Sequence, residues 1–167
     1  MKSKKVSIIV MMFGLALLLA TGCDPNKKWQ EQEKSDIQNY LYSIGDTVYT
    51  LKPSGLYYLD LTVGTGVSPV VKDTVDVKYK GSYLSGSVFG SNYPNYPDTT
   101  TLRFVVGGGG ILAGIDEGVR YMKVGGKAKM LLPSSLAYGP YGYSSIPGYT
   151  PLLFEIRLLK VAHPAAK

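Results

Sequence analysis

From residue 53 onward the chain is a succession of short apolar runs, each closed by glycine, proline or serine, with only one stretch of helical character. The runs Leu56–Val63, Thr74–Tyr83, Thr101–Val106, Lys127–Leu132 and Leu152–Val161 are rich in β-branched, aromatic and other apolar residues that suit a pleated, half-buried surface. Punctuation this frequent rules out a helical bundle, and the helix-like segment Leu112–Met122 is itself cut short by "KVGGK". One short helix against an antiparallel sheet is an α+β design. Composition agrees, with 20 glycines and 14 tyrosines, only 18% charged residues, and 45% hydrophobic residues to supply a core. Two connections, "LSGSVFGSNYPNYPDTT" after Tyr83 and "AYGPYGYSSIPGY" over Ala137–Tyr149, are too long for plain turns and too aromatic for disorder. Both are expected to carry function.

The N-terminus bears on the compartment. Met1–Lys5 carries three lysines, Val6–Ala20 is apolar but short for a bilayer span, and the small residues of "ATGC" lead to Cys23, the outline of a secretory signal. Cys23 is the single cysteine, so no internal disulfide can form. Its position resembles a bacterial lipobox, with Ala20 where leucine is commonest and Leu19 beside it. That resemblance implies an acylated Cys23 holding the protein to a lipid bilayer. The expected organisation is a signal over residues 1–22, a lipidated tether over 23–52, a folded domain over 53–162 and a tail over 163–167. Within the tether, Trp29, Glu33, Ile37, Tyr40 and Leu41 recur at near-helical spacing and predict a short amphipathic helix over Pro25–Ser43 that props the domain off the membrane. The location is then extracytoplasmic, on a bacterial membrane with the outer one as first candidate and its face left open. Loss of Lys2, Lys4 and Lys5 with the signal lowers the formal charge from +6 and leaves 15 basic against 12 acidic residues. No basic cluster interleaves with aromatics, and "NKKWQEQEK" mixes both signs, so nucleic acid is not an expected partner.

The most conspicuous motif is "RFVVGGGGILAGIDEG", Arg103–Gly118, in which Gly108, Gly110 and Ala113 match the G-x-G-x-x-A of a dinucleotide-binding turn. Its surroundings argue otherwise. That turn needs a long helix, a second parallel strand and an acidic residue about twenty positions on to hold the ribose. Here the helix is short, "AKMLLP" follows without the acidic residue, and there is no G-K-[ST]. A phosphate cradle is therefore not expected, and neither is a nucleotide cofactor.

Familiar hydrolytic chemistry finds no material either. The one histidine, His163, lies beyond the last strand run in "VAHPAAK", so neither a Ser-His-Asp or Cys-His arrangement nor a histidine-based metal site can be assembled, and a frayed tail histidine is expected. Asp116 and Glu117 are adjacent on the short helix and point different ways, as in a solvated first turn. Neither metal nor cofactor is implied. What the chain has in abundance is aromatic and branched apolar residues beside loops, the material of a shallow apolar pocket with few polar contacts.

"VDVKYKGSYLSGSVF", "FVVGGGGILAGIDEGVRYMKVGGKAKMLLPSSLAYG" and "IPGYTPLLFEIRLLKV" resemble, in order and spacing, successive blocks of an FKBP-type peptidyl-prolyl cis-trans isomerase over about Ser54–Val161. The resemblance implies a curved antiparallel sheet wrapped on one short helix, and residues 53–162 as the isomerase domain. It makes the glycine-rich turn the rim of a proline pocket. It also assigns roles to positions. Tyr79 falls on the strand tyrosine of the Y-x-G block and Phe89 on the aromatic wall that meets the proline ring. Ile111 and Leu112 form the apolar pair before the helix, with the Leu112 N–H bonding a ligand carbonyl, and Ile115 is the floor. Tyr138 in "AYG" carries the hydroxyl that reaches the substrate carbonyl. Ile146 and Phe154 complete the walls, and Phe104 lies beneath. The implied partners are X-Pro segments of exported polypeptides and, weakly, macrolide inhibitors.

Three positions depart from the family pattern: Gly90 stands where an aspartate usually follows the aromatic wall, Ile115 replaces the floor tryptophan, and Leu102 replaces a second aromatic wall. Gly90 matters most, because it removes the usual hydrogen-bond partner of Tyr79. The residues thus leave two functions in play: an isomerase assisting the folding of exported proteins, and a weak or inactive proline-binding module or chaperone with "SNYPNYP" as its recognition surface.

Overall fold

The computed structural model describes residues 25–45, 49–92 and 100–164. The expected signal, Cys23, and most of "SNYPNYP" lie outside the described residues.

In chain order the elements are α1 (Lys27–Ile44), β1 (Thr50–Leu51), β2 (Tyr57–Thr62), β3 (Thr74–Tyr83), β4 (Val88–Ser91), β5 (Leu102–Val105), α2 (Ala113–Val119), β6 (Lys127–Leu132), a 3₁₀ turn (Ser134–Leu136) and β7 (Leu152–Ala162). The strands form one antiparallel sheet in the order β1-β2-β6-β7-β3. The outer edge of long β3 is shared by two short strands. β5 pairs with Thr74–Val77 and β4 with Lys80–Ser82. Register shifts at Asp60/Thr62, Asp76/Val77 and Gly81/Ser82 add twist to the sheet, which curves around α2.

Alternation along the strands decides which face is buried. Val75 and Val77 on β3, Ala128, Met130 and Leu132 on β6, and Leu152, Phe154, Ile156 and Leu158 on β7 all turn to one side. Ile115 and Val119 of α2 close that core from above. The helix comes unusually near. A Cβ on Gly114 would stand 2.5 Å from Leu132 Cγ, and one on Gly118 2.3 Å from Met130 Sδ. The i, i+4 glycines therefore set the height of α2 over β6, and with it the height of the segment leading into the helix.

Leu131 and Leu153, partners in the β6–β7 register, are apolar where alternation calls for polar residues, and they face the opposite side. They are covered by Ile37, with Tyr40 and Leu41 packed alongside. The helix expected as a stand-off tether is thus a packed element on the back of the sheet. Trp29, at the start of the predicted stripe, stays 54% exposed and outside that contact. The expected strand runs all appear, but the stretch after Tyr83 is not loop throughout: it turns at Ser85–Ser87 and returns as edge strand β4. His163 is not frayed either. Its Nδ1 lies 2.6 Å from Oδ1 of Asp73, a carboxylate 1% exposed that also accepts the Val70 N–H at 2.8 Å.

Candidate active site

Between the C-terminal half of β3, β4, the N-terminus of α2 and the loop after the 3₁₀ turn lies a cleft of about 360 Å³. Tyr79, Phe89, Gly90, Leu102, Ile111, Leu112, Ile115, Tyr138, Ile146 and Phe154 line it, so every residue expected in the pocket is brought together except Phe104. Phe104 is 8% exposed and belongs to the main core.

The walls are built from the strand register. Gly81 of β3 pairs with Gly90 of β4 and with Phe154 of β7. A Cβ at position 81 would lie 2.6 Å from Phe89 Cζ and 3.0 Å from Phe154 Cε1. The glycine of the Y-x-G block is therefore what lets the Phe89 ring lie over β3. Phe89 then meets Phe154 edge-on at 5.7 Å and Tyr83 at 5.4 Å, while Tyr79 tilts against Phe154 at 6.4 Å. Such edge-to-face pairs hold rings in fixed orientations. Tyr79 is held through its backbone by Asn92: its N–H donates to Asn92 Oδ1 at 2.6 Å, and its carbonyl accepts the Asn92 N–H at 3.1 Å.

The glycine-rich turn approaches from the other side. The Gly107 N–H donates to Asp116 Oδ1 at 2.7 Å. A carboxylate of the chain itself thus occupies a donor that a bound anion would need. Asp116 staples the turn to α2 and is not simply a solvated residue, while Glu117 accepts the Tyr121 hydroxyl at 2.9 Å. The turn delivers Ile111 and Leu112 to the cleft, and the Leu112 N–H meets no protein acceptor among the described residues.

Tyr138 stands across from it on the loop after the 3₁₀ turn. Its ring stacks on Tyr143 with centroids 5.1 Å apart and planes 14° from parallel. Its hydroxyl likewise meets no protein partner among the described residues. Burial first, then Tyr143 and Tyr79, raise its pKa above the ordinary phenol value, so it is a hydrogen-bond donor at neutral pH. The loop folds back on itself: Tyr143 and Ile146 exchange backbone hydrogen bonds at 2.9 Å, with Ser144 at φ 53° between them, and the Tyr149 N–H returns to the Gly139 carbonyl.

Tyr143, Ser144 and Ser145 also line the cleft and were not expected there. The sequence hints at Tyr143 only through the density of tyrosines in "GPYGYSS". Asn92 gives no signal short of the β3–β4 register. Among the described residues no charged side chain lines the cleft, and no group of three or more His, Cys, Asp or Glu could hold a metal ion. The described lining offers no pair of ionised groups to exchange a proton. It can seat an apolar ring and present two donors to a carbonyl beside it.

An antiparallel sheet curved over one short helix, with an aromatic cleft at the helix N-terminus that is uncharged among the described residues, defines the class of scaffold. The model of the family "FKBP-type peptidyl-prolyl cis-trans isomerase" matches residues 66–159. The chain belongs to that family. It is 41% identical over 114 residues to FKBP-type peptidyl-prolyl cis-trans isomerase FkpA of Aeromonas hydrophila, a match covering 68% of this chain but only 40% of that relative. Two solved structures share the fold with TM-scores of 0.70. A peptidyl-prolyl cis-trans isomerase from Pseudomonas syringae is 26% identical, with 83% of this chain and 97% of the other aligned. FkpA from Escherichia coli is 27% identical, with 99% and 75% aligned.

Proposed function

We propose that the protein is a peptidyl-prolyl cis-trans isomerase that assists the folding of exported polypeptides by rotating their X-Pro bonds in the cleft between Phe89, Phe154, Ile115 and Tyr138. The observation that carries this reading is an uncharged aromatic cavity with two donors, the Tyr138 hydroxyl and the Leu112 N–H, unmatched by any protein acceptor among the described residues.

The chemistry follows from the amide. Rotation about the C–N bond breaks resonance against a barrier of roughly 18–20 kcal/mol, and an unassisted X-Pro bond takes tens to hundreds of seconds. A twisted amide is less polar than a planar one, so a cleft that removes water from it favours the transition state over the ground state. Phe89, Phe154 and Ile115 grip the proline ring, and the two donors hold the carbonyl as it turns. No acid, base or metal is needed for this step.

The proposed setting is the outer face of a bacterial cytoplasmic membrane or the outer membrane. The signal pattern of residues 1–22 supports export, and Cys23 in a lipobox-like context supports diacylation, which anchors far more firmly than one acyl chain. Replacing Cys23 by serine should then release the protein from the membrane fraction.

The isomerase reading is tested by NMR exchange of an Ala-Leu-Pro-Phe peptide with the full chain in mild detergent. Acceleration of exchange, reduced about tenfold by Tyr138→Phe, is the expected result, tenfold corresponding to about 1.4 kcal/mol. A second reading, a proline-binding module without catalysis, is favoured by Gly90, which leaves the Tyr79 hydroxyl without a protein partner among the described residues. Peptide shifts that move while exchange stays slow would establish it. If neither changes, the site assignment is wrong.

A further inference from the structure

We propose that Glu33 of α1 is a positioning residue for Tyr138, acting through Ser134, so that the N-terminal helix is part of the catalytic unit. The inference rests on the isomerase reading. It concerns a residue outside positions 66–159, the part of the chain that matches the family model.

Ser134 opens the 3₁₀ turn between β6 and the Tyr138 loop and is 5% exposed. The residue ahead of it, Pro133, offers no side-chain cap. The cap comes instead from a residue 101 positions away. The Glu33 carboxylate accepts the Ser134 N–H through Oε1 and the Ser134 hydroxyl through Oε2, the latter at 2.8 Å. Two buried donors are thereby satisfied by one ion, which is the strong form of a cap.

The other end of the same residue holds the catalytic loop. The Ser134 carbonyl accepts the Ala137 N–H at 2.9 Å and the Gly139 N–H at 2.8 Å. These two residues flank Tyr138. Both backbone neighbours of the donor tyrosine therefore hang from a serine that Glu33 fixes in place. The Tyr138 ring is otherwise steadied by packing at the edge of the main core and by its stack on Tyr143, which is 66% exposed. Glu33 in turn is placed by packing: it lies one turn before Ile37, the residue of α1 buried against Leu131 and Leu153.

Without the carboxylate, the Ser134 N–H and hydroxyl would be left buried and unpaired, a state that favours movement of the turn toward water. A shift of the turn carries Ala137 and Gly139 with it. The Tyr138 hydroxyl then moves relative to the Leu112 N–H, and misplacement of a positioning group costs rate steeply.

The test is a double-mutant cycle in the full chain, with peptide exchange measured over a range of peptide concentrations. Glu33→Ala should lower kcat about tenfold and change KM by less than about twofold. In a Tyr138→Phe background the same substitution should change kcat by less than about twofold, because the hydroxyl it positions is gone. Glu33→Gln, which keeps an acceptor, should recover part of the rate. Glu31→Ala, removing an exposed carboxylate paired with Lys27 on the same helix, should change nothing. Amide shifts of Ala137 and Gly139 should move in Glu33→Ala and not in Glu31→Ala. Equal losses of kcat in both backgrounds, or no loss in either, overturn the proposal while leaving the isomerase reading intact. If the unmutated chain binds peptide without accelerating exchange, the isomerase reading fails. The cycle is then read on the peptide Kd, where additivity overturns the positioning role. No binding at all refutes both.

Discussion

Gly90→Asp is the most informative single change in the cleft. A Cβ at position 90 would lie 3.7 Å from the Tyr79 hydroxyl and 3.8 Å from Tyr79 Cε2, ordinary van der Waals separations. Gly90 does not have positive φ, so a side chain brings no backbone strain. From that Cβ, a carboxylate oxygen two bonds further out reaches hydrogen-bond distance of the hydroxyl. A hydrogen bond to a charged group contributes roughly 1.5–3 kcal/mol. Only the share that strengthens as the amide twists affects kcat. If about 1 kcal/mol of it does, exchange of an Ala-Leu-Pro-Phe peptide should quicken about fivefold. Gly90→Asn and Gly90→Ala separate charge from bulk: the asparagine should give less than half the aspartate's effect and the alanine none. Equal rates for the aspartate and alanine variants, with both fully folded by near-ultraviolet circular dichroism, would refute the reasoning and show that Tyr79 works without a carboxylate.

Other consequences follow from the packing and the charges. Gly114→Ala should cost about 1–3 kcal/mol in urea unfolding, because its methyl would meet the branch carbon of Leu132 and also Leu136 Cβ at 3.2 Å. Gly118→Ala should cost less, since it meets the movable end of Met130; the reverse order would show that α2, not the side chains, gives way. The Val70 N–H and then His163 hold the Asp73 carboxyl below its ordinary range, and Arg103, bonded at 2.6 and 2.9 Å, does the same for Asp76. The folded chain then binds fewer protons than the unfolded one near pH 4, so this stabilisation is present above that range and lost as the pH falls through it. Asp73→Asn should flatten the acid limb of urea midpoints measured from pH 7 to pH 2, and an unchanged limb would refute the assignment. Because the Tyr138 pKa is raised by burial and by Tyr143 and Tyr79, the isomerase rate should be level from pH 6 to pH 9; a fall in step with phenol ionisation inside that range would contradict its place in the cleft.

What could be read from the sequence was what repeats locally. Strand runs such as "VDVKY" and "LLFEIRLL" declare themselves by alternation, and each lies within a strand of the sheet. The cleft residues were legible for another reason: the Y-x-G, G-I-L and A-Y-G blocks resemble a family pattern, and the register then brings them together. Elements whose form depends on distant partners were not legible. Val88–Ser91 contains a glycine and a serine in four residues and becomes a strand only by pairing with β3. The apolar doublets ending β6 and opening β7 carry no mark in the sequence of which face each residue takes. In fact Leu131 and Leu153 face backward, and only the packing of Ile37 explains them. His163 looked like a tail residue because its partner, Asp73, is 90 positions away. Glu33 read only as one position in the stripe of the N-terminal helix, because nothing near it in the chain reveals a buried serine amide in need of an acceptor.

The two donors in the cleft are held by different physics, and that difference separates the effects of mutation. Leu112 precedes a helix set on β6 by close contacts at Gly114 and Gly118, within the main core. Any change that moves it also disturbs that core, so its effect on rate arrives together with a loss of stability. Tyr138 sits on a surface loop whose base is tied through Ser134 to one carboxylate on the outer helix. Loosening that tie unpairs the Ser134 donors at the edge of the core but leaves the buried contacts of Ile115 and Val119 in place. Substitutions under α2 should therefore lower the unfolding midpoint and the rate in parallel, whereas substitutions along the Glu33–Ser134 link should lower the rate by more than their own loss of midpoint accounts for on the α2 line. A plot of rate against midpoint for both sets should fall on two lines, and a single line would mean that the cleft is governed by overall stability alone.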